Sequence, residues 1–251
     1  MNFLKRMLRG NGKGLFLLAL CLAAALLTAG CGGAAGDAPS GKKKVTVTTS
    51  FLADMTKELA GDYVDIDLVI PAGEDPHLYV AQPADLKKLK DADLVLYHGL
   101  HFEGKMVEIL EKRGTAVTAD FPADAVLRME EDGESVVDPH FWFSIALYKK
   151  ATEKAAESLS KLVPEHEKEI RANSAAYLAK LDALDAEVKE KIASIPEGKR
   201  NLVTPHDAFN YFSKSYGMTV VAPQGVSTNS EVANADIEKT ADFIVEHKVK
   251  A

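Results

Sequence analysis

Leu94-Val95-Leu96-Tyr97 is apolar at every position. A strand with one wet face alternates apolar and polar residues, whereas a strand without a polar position is covered on both faces, as in a parallel sheet. The flanks agree. Residues 83–92 read as a helix with Leu86 and Leu89 inward, and 104–112 as another. Val45-Thr46-Val47-Thr48-Thr49 and residues 64–70 read as two earlier strands, and Ala116-Val117-Thr118 as a later one. Residues 51–60 carry Phe51, Met55 and Leu59 on one helical face, with Ser50 as N-cap. Strands alternating with helices predict an α/β fold whose ligands bind beyond the carboxyl ends of the strands.

Further along, residues 122–139 are polar and acidic and read as a loop or short hairpin. A helix is expected over about 144–162. Residues 165–194 then lack both Gly and Pro, and Ile170, Tyr177, Leu181, Leu184, Val188 and Ile192 recur at three- and four-residue spacing. A helix of that length spans about 45 Å, so it is expected to run along two lobes rather than inside one. A second αβ pattern follows: a strand at 202–204, a helix at 207–216, a strand at 218–222, and a helix at 234–247 with Ile237, Ala241, Ile244 and Val245 inward. Two strands and two helices are too little to cover a sheet on both faces. The second lobe is expected to be incomplete, through truncation of the sequence or a borrowed partner. The expected divisions are 45–163 for the first lobe, 164–196 for the linking helix and 197–251 for the second lobe.

Three of the seven histidines directly follow a proline, in Asp75-Pro76-His77, Asp138-Pro139-His140-Phe141-Trp142 and Thr204-Pro205-His206. Proline fixes its own φ and keeps the preceding residue extended, so each imidazole is expected in a stiff loop or strand end. Stiffly held neutral imidazoles suit a metal site, zinc above all; three unrelated surface loops are the alternative.

The first thirty residues are not part of this fold. Lys5, Arg6, Arg9 and Lys13 precede an apolar run over 15–29 interrupted only by Thr28, the pattern of a secretory signal. Leu27-Thr28-Ala29-Gly30-Cys31 resembles a bacterial lipoprotein processing site, although Thr28 stands where leucine is commonest. Cys31 would then become the lipid-modified N-terminus and 31–44 a flexible tether; ordinary signal cleavage nearby is the alternative. Cys21 is lost with residues 1–30, so no disulfide is available. The formal net charge of −7 over 251 residues argues against a nucleic-acid partner. Removing four positive charges with the signal makes the mature chain more acidic still.

Taken together, these segments resemble the TroA-like (cluster A-I) solute-binding lipoproteins of zinc and manganese ABC importers. The resemblance lies in Pro71-Ala72-Gly73-Glu74-Asp75-Pro76-His77, in residues 92–100, in Asp138-Pro139-His140-Phe141-Trp142, in His206-Asp207-Ala208-Phe209-Asn210-Tyr211-Phe212 with Tyr216-Gly217, and in residues 224–231. It covers about 45–251. It implies two lobes of helix-covered parallel sheet bridged by one long helix, and metal ligands at His77, His140 and His206. The family's fourth ligand, an aspartate, has no matching position. Manganese receptors usually carry glutamate at the third place, and three imidazoles favour zinc over manganese. Against a dedicated zinc receptor, residues 103–138 lack the histidine-rich loop that many of those carry.

The resemblance further implies a monomer outside the cytoplasm, anchored to the membrane by lipid or free in a periplasm. Its partner is an ABC permease, and Zn2+ or Mn2+ is its cargo. Asp75 and Asp138 either hydrogen-bond the ligand imidazoles or cap their own loops. His98 and His101 fall beside the site, His166 and His247 on solvated helix faces, and Trp142 in nearby packing. Two other readings compete: a secreted zinc hydrolase, since three histidines and a water are also a catalytic set, and a surface adhesin. His166-Glu167-Lys168-Glu169-Ile170 begins like a zincin motif but has isoleucine where the second histidine belongs.

Overall fold

The computed structural model describes residues 41–131 and 133–250. The expected signal peptide, Cys31 and the tether as far as residue 40 lie outside the described residues. Strand β1 (Lys43–Val47) takes in two lysines expected in the tether. Lys43 and Lys44 pair with Val64 and Asp65 of β2 (Val64–Leu68). The Asp93 carboxylate accepts from Lys43 Nζ at 2.9 Å and from the Lys44 N–H at 2.8 Å, so side chain and backbone together recruit them to the sheet.

Helix α1 (Ser50–Ala60) is capped by Thr49, whose hydroxyl accepts from the Leu52 N–H at 3.4 Å; Ser50, expected as the cap, is the first helical residue. The inward face is Leu52, Met55 and Leu59. Phe51, expected on one face with Met55 and Leu59, is partly exposed, because at the helix start its ring leans over a cleft against Trp142, 5.3 Å away. In α2 (Pro83–Asp91) Leu89 is buried but Leu86 is 44% exposed. The inward place is taken by Asp85, whose carboxylate accepts from Tyr79 OH at 2.7 Å and the Gln82 N–H at 2.9 Å. A cap thus overrode the hydrophobic spacing in this short helix.

Strand β3 (Leu94–Tyr97) lies beside β1, and β4 (Thr115–Ala116) follows α3 (Val107–Arg113). The sheet is parallel throughout, in the order β2-β1-β3-β4. Val47 and Leu96 face one core with Leu59 and Leu159; Val95 and Tyr97 face another with Leu89 and Leu110. The sheet is therefore covered on both faces. Each fully buried leucine contributes about 1.5–3 kcal/mol. Order reverses at β1, with β2 on one side and β3 on the other, which opens a crevice at the carboxyl ends.

A hairpin, β5 (Arg128–Glu131) with β6 (Glu134–Val137), leads directly to Asp138. Helix α4 (Ile145–Leu162) follows, then the long α5 (Glu167–Ala193). Pro164 holds the residues before α5 in a 3-10 turn, so the helix starts two residues later than expected. Its N-terminal half packs on α1 and α4 through Ile170, with Asn173 Nδ2 donating to the Leu59 carbonyl at 3.0 Å. Its later stripe is less covered; Leu184 is exposed. There Tyr216 OH, from α6 (Asn210–Tyr216), donates to Asp185 at 2.9 Å.

The remaining strands, β7 (Asn201–Val203) and β8 (Thr219–Val221), make a two-stranded parallel sheet. Helix α7 (Asn234–His247) leans on β7 but buries only Thr240. Ile237, Ile244 and Val245, expected inward, are exposed, Val245 at 76%, and Ala241 is exposed as well. A sheet of two strands is too narrow to cover the helix's apolar stripe. Among the described residues no helix is long and apolar enough to cross a membrane.

Candidate metal centre

The two Asp-Pro-His triplets fold alike. Asp75 Oδ1 accepts the His77 N–H at 2.9 Å, and Asp138 Oδ1 accepts the His140 N–H at 2.9 Å. Each aspartate thus closes a turn over a proline that has no N–H to compete. In the third triplet the Thr204 hydroxyl donates to the His206 carbonyl at 2.9 Å, and His206 forms a parallel β-bridge with Gln224. His77 sits on the long loop after β2, His140 after β6 and His206 after β7.

These loops converge. One ring nitrogen from each of His77, His140 and His206 lies within 4.8 Å of the others. His77 Nε2 and His140 Nε2 are 3.3 Å apart. Donors about 2.0–2.1 Å from a tetrahedral metal stand about 3.4 Å from one another, so this pair already has the spacing of two ligands. His77 and His140 are buried and His206 half-buried. The nitrogens face a cavity of about 500 Å³ that also includes Thr49, Phe51, Phe102, Trp142 and Phe209. This is the crevice at the sheet's switch point.

Burial depresses His77 to about 4, helped by the neighbouring His140 ring and opposed by Asp75. His206 is lowered for the same first reason, and next by His140. Both rings are therefore neutral near pH 7, the form in which imidazole binds metal. Asp138, with no exposed surface, also accepts from His140 Nδ1 at 2.8 Å. With Nδ1 turned to Asp138, Nε2 is the ring nitrogen that faces the other two imidazoles. The second oxygen, Oδ2, accepts from Asn210 Nδ2 at 3.1 Å, and the Asp138 carbonyl accepts from Tyr211 OH at 3.0 Å. Asp75 does not touch a ring; its other oxygen accepts from Thr228 Oγ1 at 2.6 Å.

The other histidines stand apart. His98 is fully buried, with Nε2 2.7 Å from Thr49 Oγ1, and burial drives it down to about 3. His101 is exposed, on the rim of a separate cavity of about 450 Å³ that also reaches His77. His166 stacks on Tyr63 at 3.9 Å and His247 on Phe243 at 4.1 Å, so neither is merely solvated. Trp142 packs edge-on to His140 at 5.2 Å. In the sequence Asn210 and Tyr211 stand out only as part of the longer segment 206–212. Neither offers a local signal, because their partner is Asp138.

An α/β chain with a long helix and an imidazole cluster at the switch point of its parallel sheet has the form of a solute-binding protein. Residues 45–251 match the ZnuA family, the periplasmic component A of the zinc-uptake complex. The manganese-binding lipoprotein MntA of Bacillus subtilis is 40% identical over 239 residues, 94% of this chain and 78% of MntA. A TroA structure studied for its metal-binding specificity is 60% identical and superimposes with a TM-score of 0.82, over 83% of this chain and 75% of that one. The periplasmic zinc-binding protein TroA of Treponema pallidum is 41% identical with a TM-score of 0.79, over 83% and 76%. The chain belongs to the ZnuA family of extracytoplasmic substrate-binding proteins of ABC importers. It is not an enzyme, and neither the hydrolase nor the adhesin reading finds support among its relatives.

Proposed function

We propose that His77, His140 and His206 bind one divalent transition-metal ion, with zinc preferred to manganese, and that the protein hands this ion to a membrane permease. The observation that carries the reading is the convergence of three ring nitrogens on one cleft. Three nitrogen donors match zinc better than manganese, which prefers oxygen, and the 3.3 Å separation of two of them suits tetrahedral coordination. The relatives divide, MntA being named for manganese and TroA of Treponema pallidum for zinc.

In this reading Asp138 orients His140 and offsets part of the ion's charge. The cleft admits the ion and leaves it a coordination position on the open side. The two parallel sheets belong to the two lobes between which the ion sits, with α5 linking them. The chain works as a monomer, and Cys31, within Leu27-Thr28-Ala29-Gly30-Cys31, carries the lipid that holds it at the membrane. Calorimetric titration of the metal-stripped protein with zinc and then manganese tests the site. The expected result is one ion per chain, zinc bound more tightly, and no binding after His140→Ala. Equal binding by that variant would sink the reading. Labelling with a radioactive fatty acid tests the anchor: label on the wild type and none on Cys31→Ala is expected, and equal labelling of both would count against it.

A further inference from the structure

The hairpin that leads into His140 also reaches the segment that pairs with His206. Glu131, the last residue of β5, places its carboxylate on residues 225–230. It accepts from the Val226 N–H and from Ser230 Oγ, the latter at 3.4 Å. The approach is so close that a Cβ on Gly225 would lie 2.6 Å from the Glu131 carboxyl carbon. Gly225 does not have a positive φ, so its lack of a side chain serves this contact rather than a turn.

The gripped segment is stiff. Gln224 Nε2 donates to the carbonyls of Thr228 and Ser230 at 2.9 and 2.8 Å, and the Ser230 N–H to the Ser227 carbonyl at 3.0 Å. It is joined to the third histidine: Gln224 bridges His206, and the Asp207 N–H donates to the carbonyls of Gln224 and Gly225 at 3.0 and 3.2 Å. At its far side Thr228 is held by Asp75, which also holds the His77 backbone. Two carboxylates thus tie one segment to the loops of His77 and His140.

We propose that Glu131 is a positioning residue for the metal centre: by holding residues 225–230 it fixes His206 relative to His140 and slows escape of the ion. The inference rests on the three-histidine reading above. It predicts a specific kinetic defect. A latch outside the coordination shell leaves capture alone and acts on release.

The test uses zinc itself, released into an excess of a chelating dye and followed by stopped flow, on the wild type, Glu131→Ala, Glu131→Gln, Gly225→Ala and the Glu131→Ala/Gly225→Ala double variant. Glu131→Ala and Gly225→Ala are each expected to speed release about tenfold or more, as for loss of a hydrogen bond to a charged group, with unchanged association. The double variant is expected to be no faster than the worse single one, because both remove the same contact. Glu131→Gln keeps an acceptor for the Val226 N–H and is expected to restore most of the effect. The metal-free proteins are expected to melt together.

Wild-type release rates in Glu131→Ala and Gly225→Ala, with binding still abolished by His140→Ala, would overturn the latch and leave the ligands standing. Unaltered binding in His140→Ala would overturn both. A matching loss of melting temperature in the metal-free variants, without faster release, would reduce Glu131 to a structural contact and also overturn it.

Discussion

One carboxylate oxygen, Asp138 Oδ1, accepts from both the backbone N–H and the ring Nδ1 of His140, at 2.9 and 2.8 Å. The backbone bond sets where the residue sits, and the ring bond sets which nitrogen faces the cleft. Asp138→Asn keeps an acceptor for the N–H but removes the charge that favours a metal-bound imidazole. Zinc affinity is expected to fall about 10–100-fold with the fold intact, as read by calorimetry and circular dichroism. Unchanged affinity would show that the ring needs no such partner.

Gly104 has a positive φ, and a Cβ there would lie 2.9 Å from the His77 carbonyl carbon. That neighbour is backbone and cannot swing aside. Gly104→Ala is expected to displace the His77 loop, weakening zinc binding and costing about 1–3 kcal/mol of stability. Denaturant melts and a titration check both; wild-type values in each would mean that the loop yields freely.

His98 is expected to be dispensable for coordination. It is buried against Thr49, away from the three converging nitrogens. His98→Gln should still bind one zinc per chain while losing stability, because the cavity was shaped for a ring. Loss of stoichiometric binding in a folded His98→Gln protein would place this ring in the site.

Acid stability of the metal-free protein draws on several buried groups, three of them strongly shifted. His77 and His98 lie at about 4 and about 3 against an ordinary 6.5, both chiefly through burial. A depressed imidazole stabilises fully above about 6.5 and progressively less as pH falls towards its folded value. Glu103 works in the opposite sense. Burial raises it to about 7 from 4.5, against hydrogen bonds from Thr48 and the His98 and Gly99 N–H groups. Its contribution is lost as pH rises through that window. Between about 4.5 and 6.5 these two histidines, joined by the lowered His206, oppose one glutamate, so stability is expected to fall on acidification, most steeply just below about 4.5, before His77 itself titrates near 4. Glu103→Gln removes the opposing group and is expected to steepen the upper window. Melting temperatures from pH 4 to 7 test both signs, and a flat profile would contradict them.

The β/α alternation, the unbroken helix ahead of Ser194 and the three proline-led histidines were all legible in the sequence. Each depends on neighbours in the chain. Pro76 and Pro139 act on adjacent torsions, and Asp75 and Asp138 reach only two residues along. The inward faces of α2 and α7 were less legible. Spacing reports which side of a helix is apolar, but Asp85 turned inward by its cap, and a two-stranded sheet left Val245 uncovered.

By itself, the sequence determined the local stiffness of each histidine loop and the kind of fold that would hold them, because torsional limits and hydrophobic period act over a few residues. Only the tertiary structure decided that the three rings share one cleft, that Asn210 and Tyr211 secure Asp138, and that Glu131 grips a segment 95 residues away. Such contacts depend on how parallel strands close long loops upon one another, and no residue carries in its own neighbourhood the identity of a partner that distant.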